Sequence, residues 1–140
     1  ENYFSTYSTI RSYIEETLSD AKEKGYVETY FGRKRNTSDL KSSNTRLVNA
    51  EKRAAINMPI QGTASELIKV AMINIKNLID EKKLISKLVL QVHDELIFEV
   101  PDEEEDYMIE LIKKEMESSV ELKVPIVVDC KSGKTWHEIH

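Results

Sequence analysis

The stretch Leu88-Val89-Leu90-Gln91-Val92-His93-Asp94-Glu95-Leu96-Ile97-Phe98-Glu99-Val100 constrains the fold more than any other. It is an apolar run, broken by His-Asp-Glu and then resumed as an alternation of Leu96, Phe98 and Val100 on one face with Glu95, Ile97 and Glu99 on the other. Both halves have the β-branched and aromatic content of strands, so the stretch reads as a two-stranded hairpin with its charges at the bend. Tight bends are normally made with Gly or Asn, so His-Asp-Glu there calls for a reason beyond turn chemistry. Two adjacent carboxylates beside an imidazole on a rigid strand tip could bind a hard divalent cation such as Mg²⁺. A solvated acidic turn accounts for the same residues.

Around the hairpin the periodicity is mostly helical. Phe4, Tyr7, Ile10, Ile14, Leu18 and Ala21 recur at three- and four-residue steps, predicting a helix to about Lys24 that Gly25 stops. Tyr26–Phe31 reads as a short strand ended by Gly32. Residues 33–44 have turn composition and several cations, which suggests a mobile phosphate-facing loop. A second helix is expected from Thr45 to Asn57, interrupted at Pro59, where a backbone donor is lost. Thr63 then caps the main core helix, whose apolar face is Ala64, Leu67, Ile68, Ala71, Met72, Ile75, Leu78 and Ile79. After the hairpin, an acidic start at Asp102–Asp106 suits a helix to about Ser119 that buries Tyr107, Met108, Leu111, Ile112 and Met116. Val124–Asp129 reads as a further strand. Helices alternating with antiparallel strands indicate an α+β fold, a small antiparallel sheet packed against helices.

Charge is distributed unevenly. Lys22–Arg53 carries nine basic residues against four acidic, whereas Asp94–Glu121 carries twelve acidic against two lysines, within a chain of net charge −5. A basic segment can neutralise phosphates and give salt-sensitive nucleic-acid binding, although lysines and arginines that only solvate loops look the same in sequence. The single Cys130 excludes an internal disulfide framework and a cysteine-based zinc site. No apolar run approaches the roughly 20 residues of a membrane span, and Glu1–Phe4 has none of the marks of a secretory signal. A cytosolic protein, or a piece of one, is the expectation.

Four segments in order carry more than fold class: Gly25-Tyr26-Val27-Glu28-Thr29 with Gly32-Arg33-Lys34-Arg35; Arg53-Ala54-Ala55-Ile56-Asn57-Met58-Pro59-Ile60-Gln61-Gly62-Thr63-Ala64; Gln91-Val92-His93-Asp94-Glu95; and Gly133-Lys134-Thr135-Trp136-His137-Glu138-Ile139-His140. Together they resemble the C-terminal part of family A DNA polymerases, over nearly the whole chain. The resemblance implies a palm-type hairpin in a fragment of a larger polymerase fold, with residues 1–57 derived from the fingers and 58–140 from the palm. It makes Asp94 a ligand of one of two catalytic Mg²⁺ ions, with Glu95 a second carboxylate beside it. It places Gln91 and His93 near the primer end, and Arg53, Asn57 and Gln61 along the duplex minor groove. It makes Arg33, Lys34, Arg35 and Lys41 backbone-phosphate contacts. On composition alone, Asn57 and Gln61 would serve equally as caps of adjacent helix ends, and Pro59 argues against one i, i+4 row through Arg53, Asn57 and Gln61.

The implied activity is template-directed addition of deoxynucleotides to a primer 3′ end, in bacterial replication and repair, by a cytoplasmic, nucleoid-associated enzyme. The implied partners are primer-template DNA and deoxynucleoside triphosphates. The family's other metal-binding aspartate, in an Asp-Tyr-Ser-like motif, and its nucleotide-binding Lys six residues before Tyr-Gly occur nowhere in the chain. The expectation is an excised C-terminal fragment, inactive alone and a candidate for self-association through former interfaces. A non-catalytic nucleic-acid-binding module is the alternative; a stand-alone metal-dependent hydrolase fits poorly, for want of a second carboxylate motif.

Overall fold

Chain-breaking residues set the outline of the molecule. The structure, a computed structural model, describes residues 2–139. Helices α1 (Asn2–Thr6) and α2 (Ser8–Lys24) open the chain, and Gly25 closes α2 in the left-handed region at φ 80°, its amide bonding to the Ala21 carbonyl. Strands β1 (Tyr26–Glu28) and β2 (Lys34–Asn36) pair antiparallel, with Val27 opposite Arg35, and a 3₁₀ turn follows at Ser38–Lys41. The long helix α3 (Thr45–Lys82) leads to the antiparallel hairpin of β3 (Lys87–Val92) and β4 (Glu95–Glu99). A 3₁₀ turn at Asp102–Glu104, helix α4 (Glu105–Glu117) and the short α5 (Trp136–Ile139) complete the order. Among the described residues, no helix is long and apolar enough to cross a membrane. The architecture is a helix-dominated α+β fold with two small antiparallel sheets.

The chain divides into two compact units, residues 1–66 and 67–140. In the first, Ala21, Val27, Leu40 and Ala55 form a buried cluster, with Leu18 and Met58 against it. In the second, Ile75 and Ile79 of α3 meet Met108 and Leu111 of α4, and Leu96, Phe98 and Val100 pack on them. The strand alternation therefore places the apolar face of β4 on a helical layer, and the hairpin is anchored along its length.

Several expectations need correction. The first helical stripe breaks at Tyr7, and Phe4, Tyr7 and Ile10 are exposed. The strand at Tyr26 ends at Glu28, because Thr29–Gly32 closes a turn in which the Gly32 amide bonds to the Thr29 carbonyl and Gly32 has φ 81°. Residues 33–44 are not a mobile loop: β2 and the 3₁₀ turn lie within them, Thr37 and Leu40 are buried, and Thr37 donates its hydroxyl to the Ala21 carbonyl. Pro59 does not end a helix. It costs α3 one backbone hydrogen bond, about 3 kcal/mol in an unsupported helix, and the packing of Ala55 and Met58 on the core favours continuation. Thr63 is accordingly mid-helix rather than a cap, and Ala64 is exposed. Tyr107 is exposed on α4. Val124–Asp129 forms no strand; among the described residues none pairs with it, and Val124 and Val127 stand in solvent.

One polar clamp fixes the entry to β3. The Glu104 carboxylate accepts the Ile85 amide at 2.8 Å, the Ser86 amide at 2.9 Å and the Ser86 hydroxyl, and these hydrogen bonds hold its carboxyl below the ordinary 4.5. A carboxyl with a depressed folded value stabilises the fold above its ordinary value, and that contribution disappears as pH falls through the folded value. Protection of the Ile85 and Ser86 amides, corrected for intrinsic exchange, is therefore expected to drop on acidification below pH 4.5. In Glu104→Ala it should already be low at neutral pH. Unchanged protection in that variant would remove the clamp from the account.

Candidate active-site hairpin and nucleic-acid interface

Pairing of Val92 with Glu95 leaves His93 and Asp94 as a two-residue loop. His93 has φ 52°. Two-residue hairpin loops need positive φ at their first position and normally use Gly there, while an L side chain costs about 1–2 kcal/mol. Histidine tolerates this region better than most residues. The Gln91 side-chain amide donates to the His93 carbonyl at 3.3 Å and steadies the bend. Asp94 and Glu95 are exposed at the tip, on a hairpin whose other end is gripped by Leu96, Phe98 and Val100. Carboxylates at a fixed exposed tip are hard oxygen donors of the type Mg²⁺ takes. Among the described residues, no group of three His, Cys, Asp or Glu side chains could hold a metal ion, so the tip offers part of a ligand set. Gln91, His93, Asp94 and Glu95 are thus brought together in the second unit.

The first unit brings together the minor-groove candidates. Continuity of α3 through Pro59 puts Arg53, Asn57 and Gln61 at i, i+4 and i+8 on one face, all exposed. The opposite face carries Glu51, Ala55, Met58, Gly62 and Glu66, which run toward the core. Neither Asn57 nor Gln61 stands at a helix end, which removes the capping alternative for both.

The basic segment divides by strand alternation. Arg35 turns toward α3 and its guanidinium binds the Glu51 carboxylate through both Nη atoms, while Arg33 Nε lies 2.8 Å from Glu66 Oε1. Glu51 and Glu66 are both nine-tenths buried. Lys34 faces the other way, its Nζ 4.2 Å above the centre of the Tyr26 ring. With Lys24 and Lys41 it lines an open concavity of about 700 Å³, beside Asn36 and Ser38. Lys24 also binds Asp20 at 2.6 Å, and that carboxylate holds its ammonium above the usual 10.5. Sequence reasoning missed Lys24 and the two partner acids. The acids had a signal: Glu51 and Glu66 fall in register with Ala55, Met58 and Gly62, and acids on a core-facing stripe require partners.

Known proteins resemble this chain over nearly its whole length. The model of DNA polymerase family A matches residues 1–138. DNA polymerase I of Caldicellulosiruptor bescii is 46% identical over 136 residues, covering 97% of this chain and 16% of that protein. DNA polymerase I of Lactococcus lactis subsp. cremoris is 44% identical over 138 residues, covering 99% and 16%. A solved structure described as the POL domain of Pol1 from M. smegmatis in complex with DNA primer-template and dNTP superposes with a TM-score of 0.96 at 40% identity, covering 99% of this chain and 24% of that one. The chain thus spans about a sixth of the length of the curated relatives it matches. Of the motifs read from the sequence, only His140 lies outside the described residues. A family match over nearly every residue establishes that the chain belongs to DNA polymerase family A.

Proposed function

We propose that this chain is the C-terminal fingers and palm segment, residues 1–57 and 58–140, of a bacterial DNA-directed DNA polymerase that extends a primer 3′ end from deoxynucleoside triphosphates. The observation that carries this reading is the His93-Asp94 loop, an exposed carboxylate at the end of a hairpin anchored on Leu96, Phe98 and Val100. Asp94 would hold Mg²⁺ there, with Glu95 a subsidiary carboxylate. Paired Mg²⁺ ions supply a lowered pKa at the attacking 3′-hydroxyl and neutralise charge on the triphosphate and leaving group. Gln91 and His93 would meet the primer end. Arg53, Asn57 and Gln61 present side-chain donors to purine N3 and pyrimidine O2, acceptors that every correct pair shares in the minor groove, so they sense pair shape without choosing sequence. Lys34 and Lys41 are the better-placed phosphate contacts, since Arg33 and Arg35 are engaged by Glu66 and Glu51. The location follows as the bacterial cytoplasm, at the nucleoid.

The isolated chain is expected to be inactive, because one pair of adjacent carboxylates does not assemble a two-ion site. Primer extension tests both statements. The full-length protein should extend a primed template in Mg²⁺ and stop in chelator, while residues 1–140 alone give no product at micromolar concentration. Extension by the isolated chain would overturn the division of the active site, and failure of the full-length protein would overturn the assignment.

A further inference from the structure

We infer that Thr63 and Glu66 are positioning residues for Gln61, acting through the turn Thr29–Arg33, which braces α3 where Pro59 weakens it. The inference rests on the minor-groove reading of Gln61 and goes beyond it. Pro59 has no amide hydrogen, so the Ala55 carbonyl loses its donor and α3 lacks one rung across Ala55–Pro59, the turn that carries Asn57 and leads into Gln61. External polar contacts reach the helix within that span and just beyond it. Tyr13 of α2 donates its hydroxyl to the Ile56 carbonyl at 3.4 Å, and the Tyr30 amide donates to Thr63 Oγ1 at 2.9 Å. The Thr63 hydroxyl passes its own hydrogen to the Pro59 carbonyl.

The turn that delivers the Tyr30 amide is stiff. The Thr29 amide bonds to the Arg33 carbonyl at 2.9 Å, the Gly32 amide to the Thr29 carbonyl at 3.0 Å, and the Arg33 amide to Thr29 Oγ1 at 3.1 Å. It also sits directly on the helix. A Cβ on Gly62, the residue after Gln61, would lie 2.6 Å from Thr29 Cγ2, closer than any side chain tolerates. At the far end Arg33 Nε fastens the turn to Glu66, whose other oxygen, Oε2, is buried with no hydrogen-bond partner among the described residues. Gly62, Thr63 and Glu66 therefore receive the brace on one side of α3 while Gln61 stands exposed on the other.

A brace that only stabilised the fold would lower the melting temperature and slow every reaction alike. One that positions Gln61 has a selective signature. In the full-length polymerase, single-turnover extension from matched and mismatched primer ends is compared for the wild type, Thr63→Val, Thr63→Ser, Gln61→Ala and the Gln61→Ala/Thr63→Val double variant. Thr63→Val, which keeps the shape and β-branching and removes the hydroxyl with both its hydrogen bonds, should reduce preference for matched ends about tenfold, the scale of taking the Thr63 acceptor from the Tyr30 amide. The loss should fall on matched ends, with mismatched extension changing by less than about threefold. Thr63→Ser should retain the preference, Glu66→Gln should reduce it in the same direction, and Thr63→Val should add nothing in the Gln61→Ala background. Equal losses at matched and mismatched ends, or full additivity with Gln61→Ala, would overturn the inference. If Gln61→Ala itself leaves both kinds of primer end unaffected, the minor-groove assignment falls, and the positioning role falls with it.

Discussion

Replacing Asp94 by asparagine in the full-length polymerase is expected to slow nucleotide incorporation by about three to five orders of magnitude while DNA affinity changes less than about threefold. Asparagine matches aspartate in size and in its tolerance of tight loops, so the two-residue connection between β3 and β4 should survive, as should the packing of Leu96, Phe98 and Val100. What is lost is one negative charge on a hard oxygen donor at an exposed tip, where Glu95 is the adjacent carboxylate. If Asp94 holds Mg²⁺, it stabilises charge that develops in the transition state and adds little to DNA binding, so the loss should fall on kcat rather than on Kd. Glu95→Gln should cost far less, about tenfold, since that carboxylate is assigned no ligand bond of its own. A loss of less than tenfold in Asp94→Asn, or a parallel collapse of DNA affinity, would reduce the tip to an acidic turn.

The hairpin was legible because period-two alternation fixes a face directly: Leu96, Phe98 and Val100 had only one way to point once the strand formed. Gly25 was legible for a similar reason, since a left-handed C-terminal residue favours glycine. The errors lie where the deciding partner is distant in sequence. Nothing local to Pro59 announces that Tyr13 and Tyr30 lend hydrogen bonds to the helix around it, so local sequence makes the proline a stop and breaks the row Arg53, Asn57, Gln61. Arg35 and Glu51 are separated by 16 residues, and their pairing turns a segment of loop composition into a strand over a core. Val124–Asp129 shows the converse: its composition favours a strand, but composition confers a preference, and a strand exists only where a neighbour offers an edge. The candidate ligand is legible from motif order alone, whereas the separation of fold-locking arginines from solvent-facing lysines depends on partners that only the folded chain brings together.

That separation gives the second large effect. Arg35→Ala in the full-length protein is expected to destabilise the fold by about 2–4 kcal/mol, because Glu51 is left as a buried carboxylate without its counter-charge. Arg35 is itself partly exposed, which places the figure below the upper range for fully buried pairs. The cost belongs to the stranded acid rather than to the missing arginine, so an apolar pair, Arg35→Met with Glu51→Leu, should recover most of the stability. Lys34→Ala supplies the contrast from the other face of the same strand. Losing only an exposed contact with the Tyr26 ring, it should alter stability by less than about 1 kcal/mol. If Lys34 meets a phosphate, the same variant should flatten the logarithmic salt dependence of DNA binding by about one unit, whereas Arg35→Ala should leave that slope alone. Chemical denaturation and DNA titrations at several salt concentrations separate the two roles. A flattened slope with unchanged stability in Arg35→Ala would return that arginine to the phosphate contacts and leave Glu51 without a purpose in the fold.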